Sequence, residues 1–260
     1  MGTQQAGSNH RSSGGLESVI FTSELTRRPC RAANYSAESN ALIGLARAMA
    51  VSPTNILKKL TETAITLCNA GSSGVSLLEP DGAHFHWPAI TGPLAKLVGG
   101  GTPREFGPCG TVLDRNAPQL MSHPERHFDH LAVIKPEIEE LLLIPFYIEE
   151  KAVGTIWIIA HNPKHHFDGE DLRVMTNLST FAAAAYQTLT HIAKTAATQG
   201  ELELSQKMQL ELRGQSEINE QKTAQLDSAN RSLEAEIVNR TRAEDSLREL
   251  SGRLMQVQDE

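Results

Sequence analysis

Cysteine is scarce in this 260-residue chain: Cys30, Cys68 and Cys109 lie far apart, with no Cys-x-x-Cys among them. That excludes a disulfide framework and a zinc ribbon, and points to a reducing compartment. No apolar run approaches the ~18 residues of a membrane span, and residues 1–15 lack the basic-then-apolar order of a secretory leader. The expected localisation is cytoplasmic, with no membrane partner. Positive charge is also short: 24 Lys and Arg against 31 Asp and Glu leave a net charge of −7. Without a Lys/Arg stripe the footprint for binding phosphates is missing, so no nucleic acid partner is expected. Gly99-Gly100-Gly101 lacks the Lys-Ser/Thr of a phosphate-binding loop. Aromatic residues stop at Tyr186 and proline stops at Pro163, so nothing breaks a helix in the last third of the chain.

What is present suffices for a core, since 40% of residues are hydrophobic. Residues 1–15 are Gly/Ser/Gln-rich and expected to be disordered, and 16–35 read as a lead-in segment interrupted by Arg27-Arg28-Pro29. From Ser36, a candidate cap, Leu42, Leu45, Ala46 and Met49 repeat with helical period. After Ser52-Pro53, Ile56, Leu57, Leu60, Ala64, Ile65 and Leu67 do so again, up to Asn69-Ala70-Gly71. Gly74–Leu78 and Ala83–Trp87 flank the turn Glu79-Pro80-Asp81-Gly82 as a hairpin. A Gly/Pro-dense middle follows to His130, and then an acidic stretch, Glu137–Glu140, read as helical. Leu141–Tyr147 and Ala152–His161 form a second hairpin across Glu149-Glu150-Lys151. Both faces of its second arm are apolar: Val153, Thr155, Trp157 and Ile159 point one way, Ile156, Ile158 and Ala160 the other. Such a strand belongs at the centre of a sheet. Asp168 caps a last helix whose core face runs Leu172, Met175, Leu178, Ala182, Ala185, Tyr186 and Leu189. The fold class is α+β, an antiparallel sheet flanked by helices.

The tail, 193–260, is expected to be a coiled coil. Leu212, Leu226, Leu233, Leu247 and Leu254 fall at multiples of seven, with Asn219 and Arg240 at two intervening positions. Leu247, Leu250, Leu254 and Val257 suggest that the seam shifts phase after Ile237. Acidity concentrates here: 13 acidic residues against 8 basic from Glu201 to Glu260, leaving 18 against 16 in the first 200.

Four strings carry a family resemblance: Gly101-Thr102-Pro103-Arg104-Glu105-Phe106-Gly107-Pro108-Cys109-Gly110, Val112-Leu113-Asp114-Arg115-Asn116-Ala117-Pro118, Ser122-His123-Pro124-Glu125-Arg126, and Ile144-Pro145-Phe146-Tyr147 with Ala152-Val153-Gly154-Thr155-Ile156-Trp157. Together they resemble the GAF domains of bacterial sensor histidine kinases, over about Leu16 to Leu189. The resemblance implies a GAF sensor domain over 36–192. The tail from Glu236 to Arg248 is similar to the signalling helix that joins sensor domains to kinase cores, and Leu250–Glu260 to the lead-in of a phosphoacceptor helix. No phosphoacceptor or ATP-binding motif is present, so the chain itself is expected not to be an enzyme. It reads as the sensor half of a kinase, a homodimer through its coiled coil, whose partners are a histidine kinase core and a downstream response regulator.

In the fold so implied, small ligands lie between the sheet and the loop-rich middle, which makes Trp87, Cys109 and Phe146 the expected ligand-binding residues. No catalytic residue, metal site or cofactor is assigned. If Pro108 opens a helix, Cys109 sits in its first turn, where N–H groups stabilise a thiolate. It is then either a redox-sensing thiol or a small apolar residue in the pocket wall. Ten histidines show no spacing that completes a metal set. A covalent bilin and a cysteine-pair sulfoxide reductase both fit poorly, because Gly110 follows Cys109 where the bilin-binding relatives usually have His, and Cys30 and Cys68 fall outside any matching motif. The leading function is therefore sensing of a small molecule or redox state with transmission through a coiled coil. The alternatives are a thiol-based redox protein or enzyme acting through Cys109, and a ligand-free dimerisation scaffold.

Overall fold

The computed structural model describes residues 15–258, with side chains as far as residue 248. The expected disorder before residue 15 and the phase shift at Leu250, Leu254 and Val257 lie outside the described side chains. The chain divides into two units, Met1–Ala193 and Lys194–Glu260.

Five α-helices and six strands, joined in part by short 3-10 turns, form the described structure: α1 (Glu24–Arg27), α2 (Tyr35–Val51), α3 (Ile56–Cys68), β1 (Ser72–Leu78), β2 (His84–Thr91), β3 (Gly101–Pro103), α4 (Pro108–Arg115), β4 (Gln119–Ser122), β5 (Glu140–Ile148), β6 (Lys151–Ala160) and α5 (Gly169–Gln258). The strands make one antiparallel sheet in the order β3-β2-β1-β6-β5-β4. β6 is central, as its two apolar faces require. Ile156, Ile158 and Ala160 point with Leu142, Ile144 and Phe146 of β5 into a core closed by Leu45 of α2, Leu60 and Ala64 of α3, and Met175, Leu178 and Ala182 of α5. Trp157 and Ile159 point the other way with Leu141, Leu143 and Ile90. There the cover is the irregular middle of the chain together with Val112 of α4.

Local chemistry sets the boundaries. α2 begins one residue before Ser36 because Asn34 is its cap, accepting from the Ala37 N–H at 3.0 Å. α3 stops at Asn69 in the left-handed conformation (φ 50°). At the start of α5 the Asp168 carboxylate accepts from the N–H groups of Glu170 (2.8 Å) and Asp171 (3.1 Å), while Asp171 accepts from the Asp168 N–H (3.0 Å). This is a reciprocal capping box. The lead-in is an integral part of the first unit: Val19 and Leu25 are buried, and Ile20 bridges Met121, so this segment covers the free edge of β4.

Glu137–Glu140, read as helical from its charge, is not a helix. β5 starts at Glu140 instead, whose buried carboxylate is gripped by the Arg28 guanidinium (2.7 and 2.9 Å), by His166 Nδ1 (2.9 Å) and by the Phe167 N–H (3.0 Å). Arg28 lies 112 residues away in sequence, which is why local pattern missed it. A second cluster joins Arg173 of α5 to Glu38 of α2 (2.6 Å) and to Glu170 (2.8 Å), with Asn177 donating to Glu38 (2.7 Å).

Burial pushes the Glu140 carboxyl up, but the Arg28 fork, the Phe167 N–H and His166 together outweigh it and hold it below the usual glutamate range. A carboxyl depressed in the folded state stabilises fully above its unfolded value of about 4.3, and the contribution is lost as pH falls through the lower native value. Glu140→Gln should destabilise by about 3 kcal/mol at neutral pH, because it strands Arg28 without its counter-charge. Melting curves recorded from pH 7 downwards should show the gap between the two proteins closing below about pH 4. A gap independent of pH would mean that the ion pair is not its source.

Candidate ligand cavity

The irregular cover does not fill the second face of the sheet. Between them lies a cavity of about 100 Å³. Its floor comes from β1, β5 and β6. Gly74 of β1 stands opposite Trp157 of β6, and a Cβ at Gly74 would run into the indole. The missing side chain thus lets the Trp157 ring lie across β1, with Ile159, Leu141 and Leu143 around it. The roof comes from Trp87 of β2, Leu94 and Leu97 of the following loop, the first turn of α4, and the segment around His130, Leu131 and Ile134.

Of the residues expected from the sequence, Trp87 and Cys109 line this cavity. Phe146 does not. It lies two residues beyond Ile144 on β5 and so shares the opposite face, buried in the core beneath the helices. Its place on the cavity wall is taken by Leu141 and Leu143. Residues that sequence reasoning missed are Ser76, Thr102, His130 and Trp157. For Trp157 a signal existed, since strand alternation already separates it from Ile156 and Ile158. For Ser76 and His130 none did, because Ser76 is placed by the pairing of β1 with β6 and His130 by its stack on Phe106.

Four polar groups meet at the floor. The Ser76 hydroxyl accepts from Trp157 Nε1–H at 3.0 Å and from the Cys109 thiol at 3.3 Å, and the Thr155 hydroxyl donates to Cys109 Sγ at 3.3 Å. Pro108 does open α4, as its fixed φ favours, and Gly107 precedes it as the N-cap residue. The helix start nevertheless fails to produce a thiolate. Burial pushes the Cys109 thiol up, and its bonds to Ser76 and Thr155 and the local N–H offset this only in part. Cys68 is buried in the other core and pushed up as well, by desolvation and by the nearby Asp171 carboxylate. Cys30 is exposed.

Four of the histidines sit beside separate groups. His84 meets Asp81 (3.1 Å), His86 meets Glu79 (2.8 Å), His161 meets Ser72 (2.8 Å), and His166 meets Glu140. His130 stacks on Phe106 with ring centroids 4.4 Å apart, and burial lowers its pKa. Among the described residues no group of three or more His, Cys, Asp and Glu side chains is placed to hold a metal ion. No described helix is long and apolar enough to cross a membrane.

A family model described as GAF domain matches residues 50–187. The chain is similar to the solved GAF domain from an Acinetobacter phosphoenolpyruvate-protein phosphotransferase, at 14% identity and a TM-score of 0.51 over 63% of this chain and 99% of that one. It is similar to the GAF domain of a phosphoenolpyruvate-protein phosphotransferase from Coxiella burnetii, at 17% identity and a TM-score of 0.52 over 64% of this chain and 99% of that one. A third likeness is to the free methionine-R-sulfoxide reductase from Neisseria meningitidis in complex with its substrate, at 15% identity and a TM-score of 0.51 over 63% and 97% of the two chains. At these identities the likeness is one of fold. No functionally curated protein matches the chain.

The burial pattern of the cysteines makes their reactivity a direct test of the site. In the native protein a thiol-specific chromogenic reagent should titrate one of the three cysteines rapidly, and Cys30→Ser should remove that fast phase. Rapid modification of Cys109 would show a thiolate at the start of α4 and reverse its assignment as a wall residue.

Proposed function

Because the chain belongs to the GAF domain family, we propose that it is the signal-input and dimerisation module of a two-component sensor kinase. A small molecule enters the cavity, and its presence is passed on through a coiled coil formed by α5 and its counterpart in a second copy. Catalysis is the task of a histidine kinase core, which the chain regulates and which phosphorylates a response regulator in turn. The observation that carries this reading is the cavity itself: an apolar space with a few convergent polar groups is the usual form of a small-molecule site.

Two further features support it. Residues 194–248 form one helix whose leucines at seven-residue spacing, Leu212, Leu226, Leu233 and Leu247, are all more than half exposed. An apolar stripe of that period is the surface a second helix covers. The strings from Gly101 to Gly110 and from Glu236 to Arg248 resemble sensor-kinase sequences at both ends of the proposed path. The thiol-based alternative draws no support from Cys109, whose proton is held by burial and whose neighbours are hydroxyls rather than a second cysteine.

The protein should sediment as a dimer, and Leu226→Glu with Leu233→Glu should raise its dissociation constant by at least about tenfold, since both leucines leave an apolar seam. An unchanged dissociation constant would remove the helix from dimerisation. Placed ahead of a histidine kinase core, the chain should make autophosphorylation depend on the cavity. Leu97→Phe, which fills the rim, should lock the output at one level across conditions that modulate the wild-type fusion. Equal modulation of both fusions would disconnect the cavity from signalling.

A further inference from the structure

We infer that the lead-in, residues 16–31, is a releasable clasp: it opens and closes together with the first turn of α5, and it connects the cavity side of the sheet to the start of that helix. Its regulatory role rests on the reading of the chain as a signal-input module.

The capping box of α5 is shared between the helix and the lead-in. Each of its two carboxylates turns one oxygen to each side. Asp168 Oδ1 accepts from the N–H groups of Glu170 and Asp171, while Asp168 Oδ2 accepts from the Arg31 N–H at 2.8 Å. Asp171 Oδ2 accepts from the Asp168 N–H, while Asp171 Oδ1 takes the Arg31 guanidinium at 2.6 Å. Arg28 adds a further tie, donating to the Phe167 carbonyl at 2.7 Å, and its partner Glu140 accepts from the N–H of the same residue. Asp168 and Asp171 are only 8% and 2% exposed. Removing the lead-in leaves one oxygen of each buried carboxylate without its partner, and unwinding the turn removes the acceptors that hold the lead-in. Neither can be lost without loosening the other.

The far end of the same segment reaches the other face of the sheet. Leu16 and Ile20 pack against the cluster that holds Trp157, Leu141 and Leu143 of the cavity wall, whereas Leu25 is buried in the core beneath the helices. The Phe21 N–H donates to the Leu120 carbonyl at 2.8 Å and the Ser122 N–H to the Val19 carbonyl at 2.9 Å, which lays this end along β4. The lead-in therefore touches both cores as well as the helix start.

Its hold is slight enough to release. Of residues 16–31 only Val19 and Leu25 are buried, and the Arg31 side chain is 38% exposed. Segments with so few buried apolar contacts open locally, well below the free energy of global unfolding. Gly169 supplies a wedge for testing this. It is the first residue of α5, and a Cβ there would lie 3.0 Å from Cys30 Sγ and 3.0 Å from the Leu25 carbonyl oxygen. Gly169→Ala thus presses on the lead-in while improving the helix propensity of the turn, two effects of opposite sign.

Hydrogen exchange on the full native chain separates them. In the wild type the Phe21 and Arg31 N–H groups should share one opening constant with those of Glu170 and Asp171, larger than that of the β6 N–H groups. Ile20→Ala at the cavity end and Arg31→Met at the cap end should each raise it at least about fivefold in all four groups, with β6 unchanged. Gly169→Ala should raise it too, although helix propensity alone would slow Glu170 and Asp171 about fivefold. Different constants for the lead-in and the turn, or slower exchange in Gly169→Ala, would overturn the clasp. Placed ahead of a histidine kinase core, Gly169→Ala should shift the basal autophosphorylation, and an opened clasp with unchanged output would overturn its regulatory role. Exchange requires no kinase, so a fusion that ignores the cavity would overturn the sensory reading while the clasp stands.

Discussion

A strand that is apolar on both faces has to be covered twice, and β6 imposes that requirement on the whole first unit. One cover is built from α2, α3 and the first turns of α5, whose helical stripes pack on Ile156, Ile158 and Ala160. The other is built from short strands, 3-10 turns and a two-turn helix, which cannot tile a twisted sheet with the same density. The cavity is the residue of that mismatch, sited where Gly74 lets Trp157 lie down against β1. Its position on the central strand has a mechanical consequence. Trp157 and Ile158 are adjacent, yet one walls the cavity and the other sits beneath the helices. A ligand that displaced the strand would therefore act on both cores, because β6 contributes side chains to each.

The buried ion clusters serve a different purpose from the apolar cores. Arg28 with Glu140, Arg31 with Asp171 (2.6 Å), and Arg173 with Glu38 and Glu170 all tie elements distant in sequence to the opening turns of α5 or to the strand and loop before it. Ion pairs of this kind rarely add much stability over apolar packing, because desolvation consumes the Coulombic gain. They are, however, directional. Arg28 spans Glu140 and the Phe167 carbonyl, and the Asp168–Asp171 capping box fixes where the helix begins. The start of the helix that carries the proposed signal is thus specified by geometry rather than by apolar area.

What could be read in the sequence was whatever repeats locally. Leu45, Leu60, Met175 and Leu178 declare their helices by period, and the alternation from Ala152 to Ala160 places β6 at the centre and sorts its side chains onto the correct faces. Pro108 shows where α4 starts. What could not be read depends on partners far away. Glu140 looks like part of an acidic helix until Arg28 turns it into the first residue of a strand. Phe146 looks like a pocket aromatic until the register of β5 against β6 puts it with Ile144. Ser76 has no local signature. Its role comes from its pairing with Thr155, from Trp157 and from the first turn of α4, elements separated by tens of residues. Cys109 shows the limit of motif reasoning: its place at a helix start was legible, but desolvation by the folded wall outweighs the helix and keeps the proton on sulfur.

The second unit poses an energetic problem of its own. Among residues 194–248 no side chain is buried, and Leu212, Leu226, Leu233, Ile237 and Leu247 stand open to water. Helix propensity and i,i+4 pairs such as Arg240 with Glu244, worth tenths of a kcal/mol each, give a lone helix little stability. Covering the leucines with a second helix is the economical solution, and it is the basis of the dimer proposed above. Asn219, Asn230 and Arg240 act against it, since polar groups in or beside a seam cost stability while restricting register. The segment combines enough apolar surface to call for a partner with enough polar interruption to keep competing pairings close in free energy. In the proposed dimer, a ligand that favours one packing over another by a few kcal/mol would then be sufficient to move the population, whereas on an uninterrupted leucine seam dominated by one packing the same preference would move it far less.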